Sequence, residues 1–158
     1  MRLLAIDPGT TESAYVTWDG KEIISKAKVR NRIMLDVIDS GPIGELVVIE
    51  QVKSYGMAVG ESIFETVFWS GRFAEIASQG GKFDRMPRMD VKMHLCHSPR
   101  AKDANITQAL IDRFAPNTRN KGKGVKADPG FFYGFKSDIW AAFALAVTYY
   151  DQKELGVK

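Results

Sequence analysis

The sequence LLAIDPGTT, residues 3–11, runs four apolar residues straight into an aspartate and then into a Pro-Gly break. A continuous apolar run of this length is typical of a short strand that is covered on both faces. Pro8-Gly9 forces a turn directly after it. Asp7 is therefore predicted to lie at the rigid end of a buried strand.

A second apolar run, Leu46 to Ile49, also ends in an acidic residue, Glu50. If the two runs are adjacent parallel strands of one sheet, Asp7 and Glu50 lie side by side at the same edge. That edge is where open α/β sheets keep their sites. An apolar strand is not stabilised by an unpaired buried carboxylate at its end. Glu50 in particular is therefore predicted to have a functional role.

The first strand is followed by two segments, residues 13–18 and 21–29, that alternate as strands do and flank the hairpin signal Asp19-Gly20. Three antiparallel strands are therefore predicted to open the domain. Further along, MDVKMHL at residues 89–95 alternates apolar and polar residues and predicts a fifth strand.

Three helices are predicted after the second acid-bearing strand. Residues 62–78 form a long helix with Ile63, Val67 and Ala74 facing inward. A helix that ends before Pro116 begins with Asp103 as its N-cap. The last helix has Asp138 in its first turn, where the carboxylate either complements the helix dipole or serves a site.

Length and composition describe a soluble globular protein. The 158 residues suit one domain, residues 1–158, with 45% apolar and 26% charged residues. No apolar run is long enough to span a bilayer, and an acidic residue comes too early for a signal peptide. We therefore expect a cytoplasmic protein. The lone cysteine, Cys96, lies between His94 and His97, a weak zinc signal against the alternative of a strand end and a turn.

The net charge of +3 is modest, but the basic residues are concentrated in two segments. Such runs are either solvated faces or nucleic-acid contacts. Residues 115–137 hold four glycines, two prolines and five basic side chains, which predicts a mobile basic loop without any core element. The predicted DNA-contacting residues of the two segments are Arg85, Arg88, Lys92, Arg100 and Lys102, then Arg119, Lys121, Lys123, Lys126 and Lys136.

Five segments share one order with a known family. They are AIDPGT (5–10), IEQV (49–52), SGRFAEIA (70–77), VKMHLCHSPRAKDANITQALI (91–111) and SDIWAAFALA (137–146). In these segments the chain resembles the RuvC-type Holliday-junction resolvases of the ribonuclease H-like superfamily, particularly the short forms carried by bacteriophages. The resemblance covers nearly the whole chain.

The resemblance implies an α/β fold of the ribonuclease H-like type, with a five-stranded mixed sheet of order 3-2-1-4-5 flanked by helices. It implies that Asp7, Glu50 and Asp138 bind Mg²⁺ or Mn²⁺, two ions per site, and that Lys92 and Lys102 lie near the cleaved phosphate. The implied activity is metal-dependent resolution of four-way and other branched DNA by a homodimer, in the host cytoplasm if the chain is phage-encoded. Hard divalent ions take oxygen ligands, and paired ions about 3.5–4 Å apart suit phosphodiester hydrolysis.

Two positions depart from the family's pattern. The last helix of the family usually offers two acids three residues apart, whereas this chain has Asp138 and then Ala141. Larger members carry an aromatic wedge just after the acid of the fourth strand, where this chain has Lys53, with Tyr55 nearby. We therefore expect the second ion to be held more weakly, and we assign Lys53 and Tyr55 to DNA contact.

Three alternatives stay open at this point. The first is a related ribonuclease H-like nuclease that acts on RNA, and the second is a DNA-binding module without catalysis. DPGTT also resembles the phosphate loop of sugar kinases and related ATPases, but that fold needs two duplicated domains and far more than 158 residues.

Overall fold

The computed structural model describes residues 1–41 and 45–157. Five strands form the central sheet: β1 (Leu3–Asp7), β2 (Glu12–Trp18), β3 (Ile23–Arg30), β4 (Leu46–Gln51) and β5 (Phe83–Pro87). The order across the sheet is β3-β2-β1-β4-β5. β1 to β3 are antiparallel neighbours, whereas β4 and β5 run parallel to β1. The predicted mixed sheet and its order are confirmed.

Helices cover both faces of this sheet, and each face has its own hydrophobic core. The helices of the smaller core are α1 (Asn31–Asp39) and α2 (Glu61–Gln79). Those of the larger core are α3 (Arg88–Cys96), α4 (Asp103–Phe114) and α5 (Ile139–Lys153). Within the described residues, none of the helices combines the length and apolarity needed to cross a membrane.

β1 belongs to both cores because its side chains alternate between the two faces. Leu3 and Ala5 enter the larger core, while Leu4 and Ile6 enter the smaller one. All four are buried, and a fully buried aliphatic side chain such as Leu or Ile contributes about 1.5–3 kcal/mol. The strand that carries Asp7 is therefore held in place by hydrophobic packing on both faces of the sheet.

The predicted fifth strand exists, but its predicted position, residues 89–95, is wrong. β5 lies earlier, at Phe83–Pro87, and residues 89–95 belong to α3. The alternation of MDVKMHL imitates the two-residue period of a strand, yet Val91 is the one fully buried side chain in this helix. Pro87 keeps an extended backbone at the N-cap, which ends the strand and allows the helix to begin at the next residue.

The prediction that residues 115–137 add nothing to the core is also wrong. Phe132 and Phe135 are fully buried and pack against Trp140 and Phe143 of α5. A two-stranded hairpin, β6 (Gly124–Val125) with β7 (Asp128–Pro129), lies within the segment. The aromatic side chains thus anchor a segment whose glycine and lysine content is typical of a loop.

The predicted helices exist, with differences in their details. In α2 the buried residues are Thr66, Phe73 and Ala77, whereas the predicted inward residue Val67 is exposed. The N-cap of α4 is Lys102, and Asp103 is the first helical residue. Asp138 is the N-cap of α5 rather than a member of its first turn.

Candidate active site

The turn after β1 is held by a small polar network. The backbone N–H of Gly9 donates to Ser13 Oγ at 3.0 Å, and Ser13 Oγ donates to Asn31 Oδ1 at 2.6 Å. Asn31 Nδ2 closes the ring by donating to the Gly9 carbonyl oxygen at 3.0 Å. A Cβ at Gly9 would lie 2.1 Å from the carbonyl oxygen of Glu12, so only glycine fits there. This network fixes the chain directly after Asp7.

Asp7 and Glu50 lie next to each other at the sheet edge, as the strand pattern predicts. β1 and β4 are in parallel register up to Ile6 opposite Ile49, so the next residue of each strand is an acid. Burial raises the pKa of Asp7 from 3.8 to about 9, reinforced by the charge of Glu50 and by a hydrogen bond between the two carboxyl groups. The charge of Asp138 raises it further. The pair therefore holds a proton that a cation can replace.

Asp138 is the third acid of the site, and β3 supplies its partner. Lys28 Nζ donates to Asp138 Oδ2 at 2.8 Å, and lies 3.4 Å from Ser137 Oγ. The hydrogen bond to Asp138 raises the pKa of Lys28. Asp138 is half exposed, which leaves its carboxylate accessible at the start of α5.

Glu50 also has a cationic partner, Arg88 at the start of α3. Arg88 Nη1 donates to Glu50 Oε1 at 3.1 Å, and Arg88 Nη2 contacts Asp103 Oδ1. Beside this bridge lies a cleft of about 80 Å³ whose lining includes Arg88, Asp103, Asp138 and Ala141. A fourth carboxylate, that of Asp103, thus faces the space beside Ala141.

The acids of this region have the donor chemistry of a divalent-cation site. Of the four carboxylates, Asp138 is paired with Lys28, and Glu50 and Asp103 are both paired with Arg88. Asp7 lies against Glu50. Across residues 1–41 and 45–157, no group of three or more aspartate, glutamate, histidine or cysteine side chains is already arranged to hold a metal ion. Burial and the neighbouring acids Glu50 and Asp138 nevertheless raise the pKa of Asp7, which indicates that carboxyl groups are concentrated at this edge. Oxygen ligands at an accessible edge fit Mg²⁺ or Mn²⁺, which keep several waters when bound.

The predicted DNA-contacting residues fall into two groups. One group surrounds a cleft of about 360 Å³ that adjoins Glu50 and is lined by Lys53, Tyr55, Arg88 and Lys92, among others. Tyr55 is exposed at the rim with a left-handed backbone. The second group lies outside this cleft: Arg85 on β5, Arg100 and Lys102 before α4, and Arg119, Lys121, Lys123, Lys126 and Lys136 between α4 and α5.

Sequence reasoning missed two residues of the site, Lys28 and Asp103. Lys28 lies 110 positions before Asp138 in an ordinary alternating strand, so no local signal marks it. Asp103 was predicted only as a helix cap, because its contact with Arg88 depends on how the starts of α3 and α4 pack together. His94, part of the weak zinc signal, lies in α3 with Nε2 2.7 Å from Asp151 Oδ2. The strand end in the alternative for that segment is wrong, because the segment is helical up to Cys96, whereas a turn does follow at residues 99–100.

The sheet order and its helical layers define the class: this is the ribonuclease H-like fold. Among solved structures, RuvC of Thermus thermophilus is similar at 16% identity, over 99% of this chain and 97% of that chain, with a TM-score of 0.71. The T. thermophilus RuvC in complex with Holliday junction substrate gives a TM-score of 0.68 at 16% identity, over 99% and 96% of the two chains. The chain therefore has the RuvC form of the fold. No family model and no curated protein matches the sequence.

Proposed function

We propose that this protein is a metal-dependent, structure-selective endonuclease that resolves four-way DNA junctions and other branched DNA. The observation that carries the proposal is the contact between Asp7 and Glu50 at the edge of a ribonuclease H-like sheet, where burial and mutual repulsion raise the pKa of Asp7. The similarity to a RuvC that is solved with a Holliday junction supports branched DNA as the substrate. A cytoplasmic location, predicted from the sequence, is consistent with that substrate.

In this proposal Asp7, Glu50 and Asp138 hold Mg²⁺ or Mn²⁺, two ions per site. Bound ions supply a nucleophilic water and stabilise the charge of the leaving oxygen. The protein's own contribution is to fix the carboxylates on β1, β4 and the start of α5. Lys92 and Lys102 then orient the scissile phosphate and stabilise negative charge on its oxygens.

DNA contact is assigned to the basic residues around these acids. Tyr55 and Lys53 line the same cleft as Glu50, which supports our proposal that they contact unstacked bases at the junction centre. The hairpin between α4 and α5 presents basic side chains on a framework anchored by Phe132 and Phe135, which lowers the entropy lost on binding. Neutralising Lys123 and Lys126 should lower the slope of log affinity against log salt by roughly 0.9 per lost phosphate contact.

The proposed enzyme works as a homodimer, because two equivalent sites match the symmetry of a four-way junction. We place the contact on α2, where Phe64 and Phe68 are 63% and 58% exposed one turn apart. Analytical ultracentrifugation should find a dimer of the natural protein and a monomer of Phe64→Asp/Phe68→Asp. Met93→Asp is the matched control, since Met93 is 45% exposed on α3 across the sheet. A monomeric natural protein would remove the dimer from the proposal.

The function is tested by incubating the protein with labelled four-way junction, linear duplex and RNA–DNA hybrid, with and without Mg²⁺. We expect paired cuts near the centre of the four-way junction when Mg²⁺ is present, and no cuts without it. Preferential cleavage of the hybrid would instead support the RNA-directed alternative. Junction binding without cleavage in either Mg²⁺ or Mn²⁺ would support the non-catalytic module.

A further inference from the structure

Arg88 occupies an unusual place among the acids, because it bridges a buried carboxylate and an exposed one. Its Nη1 donates to Glu50 Oε1 at 3.1 Å, and its Nη2 contacts Asp103. The Glu50 side chain is 14% exposed, whereas that of Asp103 is 86% exposed. The two contacts use different nitrogens of one guanidinium, so Arg88 can lose one partner and keep the other.

We infer that Arg88 is a resident counter-ion of Glu50 that a divalent metal ion displaces, and that Asp103 retains the displaced guanidinium. The inference rests on the proposed metal-binding role of Glu50. Arg88 is then a positioning residue that competes with the metal, and Asp103 acts on metal binding only through Arg88.

The charges around the site favour such an exchange. Arg88 Nη1 lies 3.1 Å from Glu50 Oε1, so it already compensates part of the negative charge shared by Asp7 and Glu50. A divalent ion that binds Glu50 makes this compensation redundant and repels the guanidinium. A half-buried guanidinium without any partner would be costly, and Asp103 removes that cost.

The exchange predicts opposite effects for the two partners. If Arg88 pairs with Glu50 about nine-tenths of the time, the apparent Kd for metal is about tenfold higher than that of the free site. Arg88→Gln should therefore bind metal up to about tenfold more tightly. Asp103→Asn should bind it about two- to fivefold more weakly, the size expected of an exposed ion pair, because the displaced guanidinium loses its alternative partner.

The experiment is isothermal titration calorimetry with Mn²⁺ in the absence of DNA, on the natural protein, Arg88→Gln, Asp103→Asn and the double variant. We expect the double variant to match Arg88→Gln, since Asp103 has nothing to act through once Arg88 is gone. Lys82→Gln is the control, because it removes an equal charge from an exposed residue just before β5 that has no proposed role in the site, and it should change the Kd less than about twofold. Arg88→Lys, which keeps the charge but cannot bridge two carboxylates, should give an intermediate Kd.

Three results would overturn the inference. Additive effects of the two substitutions would indicate that Asp103 acts directly on the metal or through the general field. An unchanged Kd in both Arg88→Gln and Arg88→Lys, with Mn²⁺ binding and junction cleavage intact in the natural protein, would reject the exchange and leave the proposed function standing. Absence of Mn²⁺ binding by the natural protein would reject both.

Discussion

Carboxylates with opposite surroundings lie at the two ends of α5. At the C-terminal end, Asp151 is 4% exposed and accepts hydrogen bonds from Arg113 at 2.6 and 3.0 Å, while His94 Nε2 lies at 2.7 Å. At the N-terminal end, Asp7 lies against Glu50, with Asp138 nearby. The 15-residue helix separates these ends by about 22 Å.

Their pKa values move in opposite directions for this reason. Burial alone raises the pKa of Asp151, but the hydrogen bonds from Arg113 and His94 outweigh it and hold the value below 3.8. At Asp7, burial and the neighbouring carboxylate act in the same direction and raise the pKa. A buried acid that the protein has fully paired joins α3, α4 and α5. A buried acid placed against another acid is poised for a cation from outside.

The largest expected effect is on DNA cleavage, which should depend on Asp7 near the start of α5 but not on Asp151 near its end. Asp7→Asn keeps the shape of the side chain but removes a proposed ligand charge. Cleavage of a four-way junction should fall by more than about 100-fold, beyond the loss typical of groups that only orient metal ligands. Asp151→Asn should keep its activity when assayed well below its melting temperature. Cleavage by Asp7→Asn within a few-fold of the natural protein would remove Asp7 from the site.

The second prediction concerns the free energy of unfolding, which should depend strongly on Asp151. Asp151→Asn weakens charge-assisted hydrogen bonds to Arg113 and His94, so the free energy of unfolding should fall by about 1.5–3 kcal/mol in urea denaturation. Asp112→Asn, an exposed acid on α4, should change it by less than about 0.5 kcal/mol. Equal stability of the two variants would mean that the hydrogen bonds of Asp151 do not stabilise the packing of α3, α4 and α5.

A third effect is the pH dependence of stability without metal. The folded protein holds a proton at Asp7 that the unfolded chain releases above pH 3.8, so this group's contribution to stability should fall as the pH rises from about 4 to 9. Asp151 should contribute stability that is present above pH 3.8 and lost as the pH falls below it. Urea midpoints of the natural protein and Asp7→Asn across this range measure the first effect. Identical pH profiles of the two proteins would contradict it.

The smallest expected effect concerns Ala141, where the resemblance to RuvC-type resolvases leads us to expect a further acid. Ala141 faces the cleft that Asp138 and Asp103 also line, one helical turn from Asp138. Ala141→Asp should add an oxygen ligand there and shift the Mg²⁺ dependence of cleavage to lower concentration, by a few-fold. A titration that saturates in one step and does not move would indicate that another group, such as Asp103, already serves this place.

The sequence was sufficient to predict the parts that rest on local patterns. The apolar runs before Asp7 and Glu50 predicted two strands that each end in an acid, and the hairpin signal at Asp19-Gly20 predicted β2 and β3. That the two acid-bearing strands are parallel neighbours followed from the sheet order that the resemblance implied. The alternation in residues 89–95 failed, because a period of two is weak over seven residues and Pro87 changes the element just before it.

The partners of the acids could not be predicted, because they depend on tertiary packing. Lys28 meets Asp138 only after β3 has paired at the sheet edge and α5 has packed across β2. The aromatic residues between α4 and α5 were hidden by their glycine- and lysine-rich neighbours. Phe132 is buried because Gly122 leaves room for its ring, a contact that composition does not reveal.

The most direct test of the central claim is the thermal unfolding of three proteins with and without Mg²⁺, in the absence of DNA. A ligand that binds only the folded state stabilises it by RT ln(1 + [L]/Kd). We predict that Mg²⁺ raises the melting temperature of the natural protein and of Asp151→Asn by similar amounts and leaves that of Asp7→Asn unchanged. An equal rise for Asp7→Asn would show that the pair of Asp7 and Glu50 is not where the metal binds, and would contradict the account.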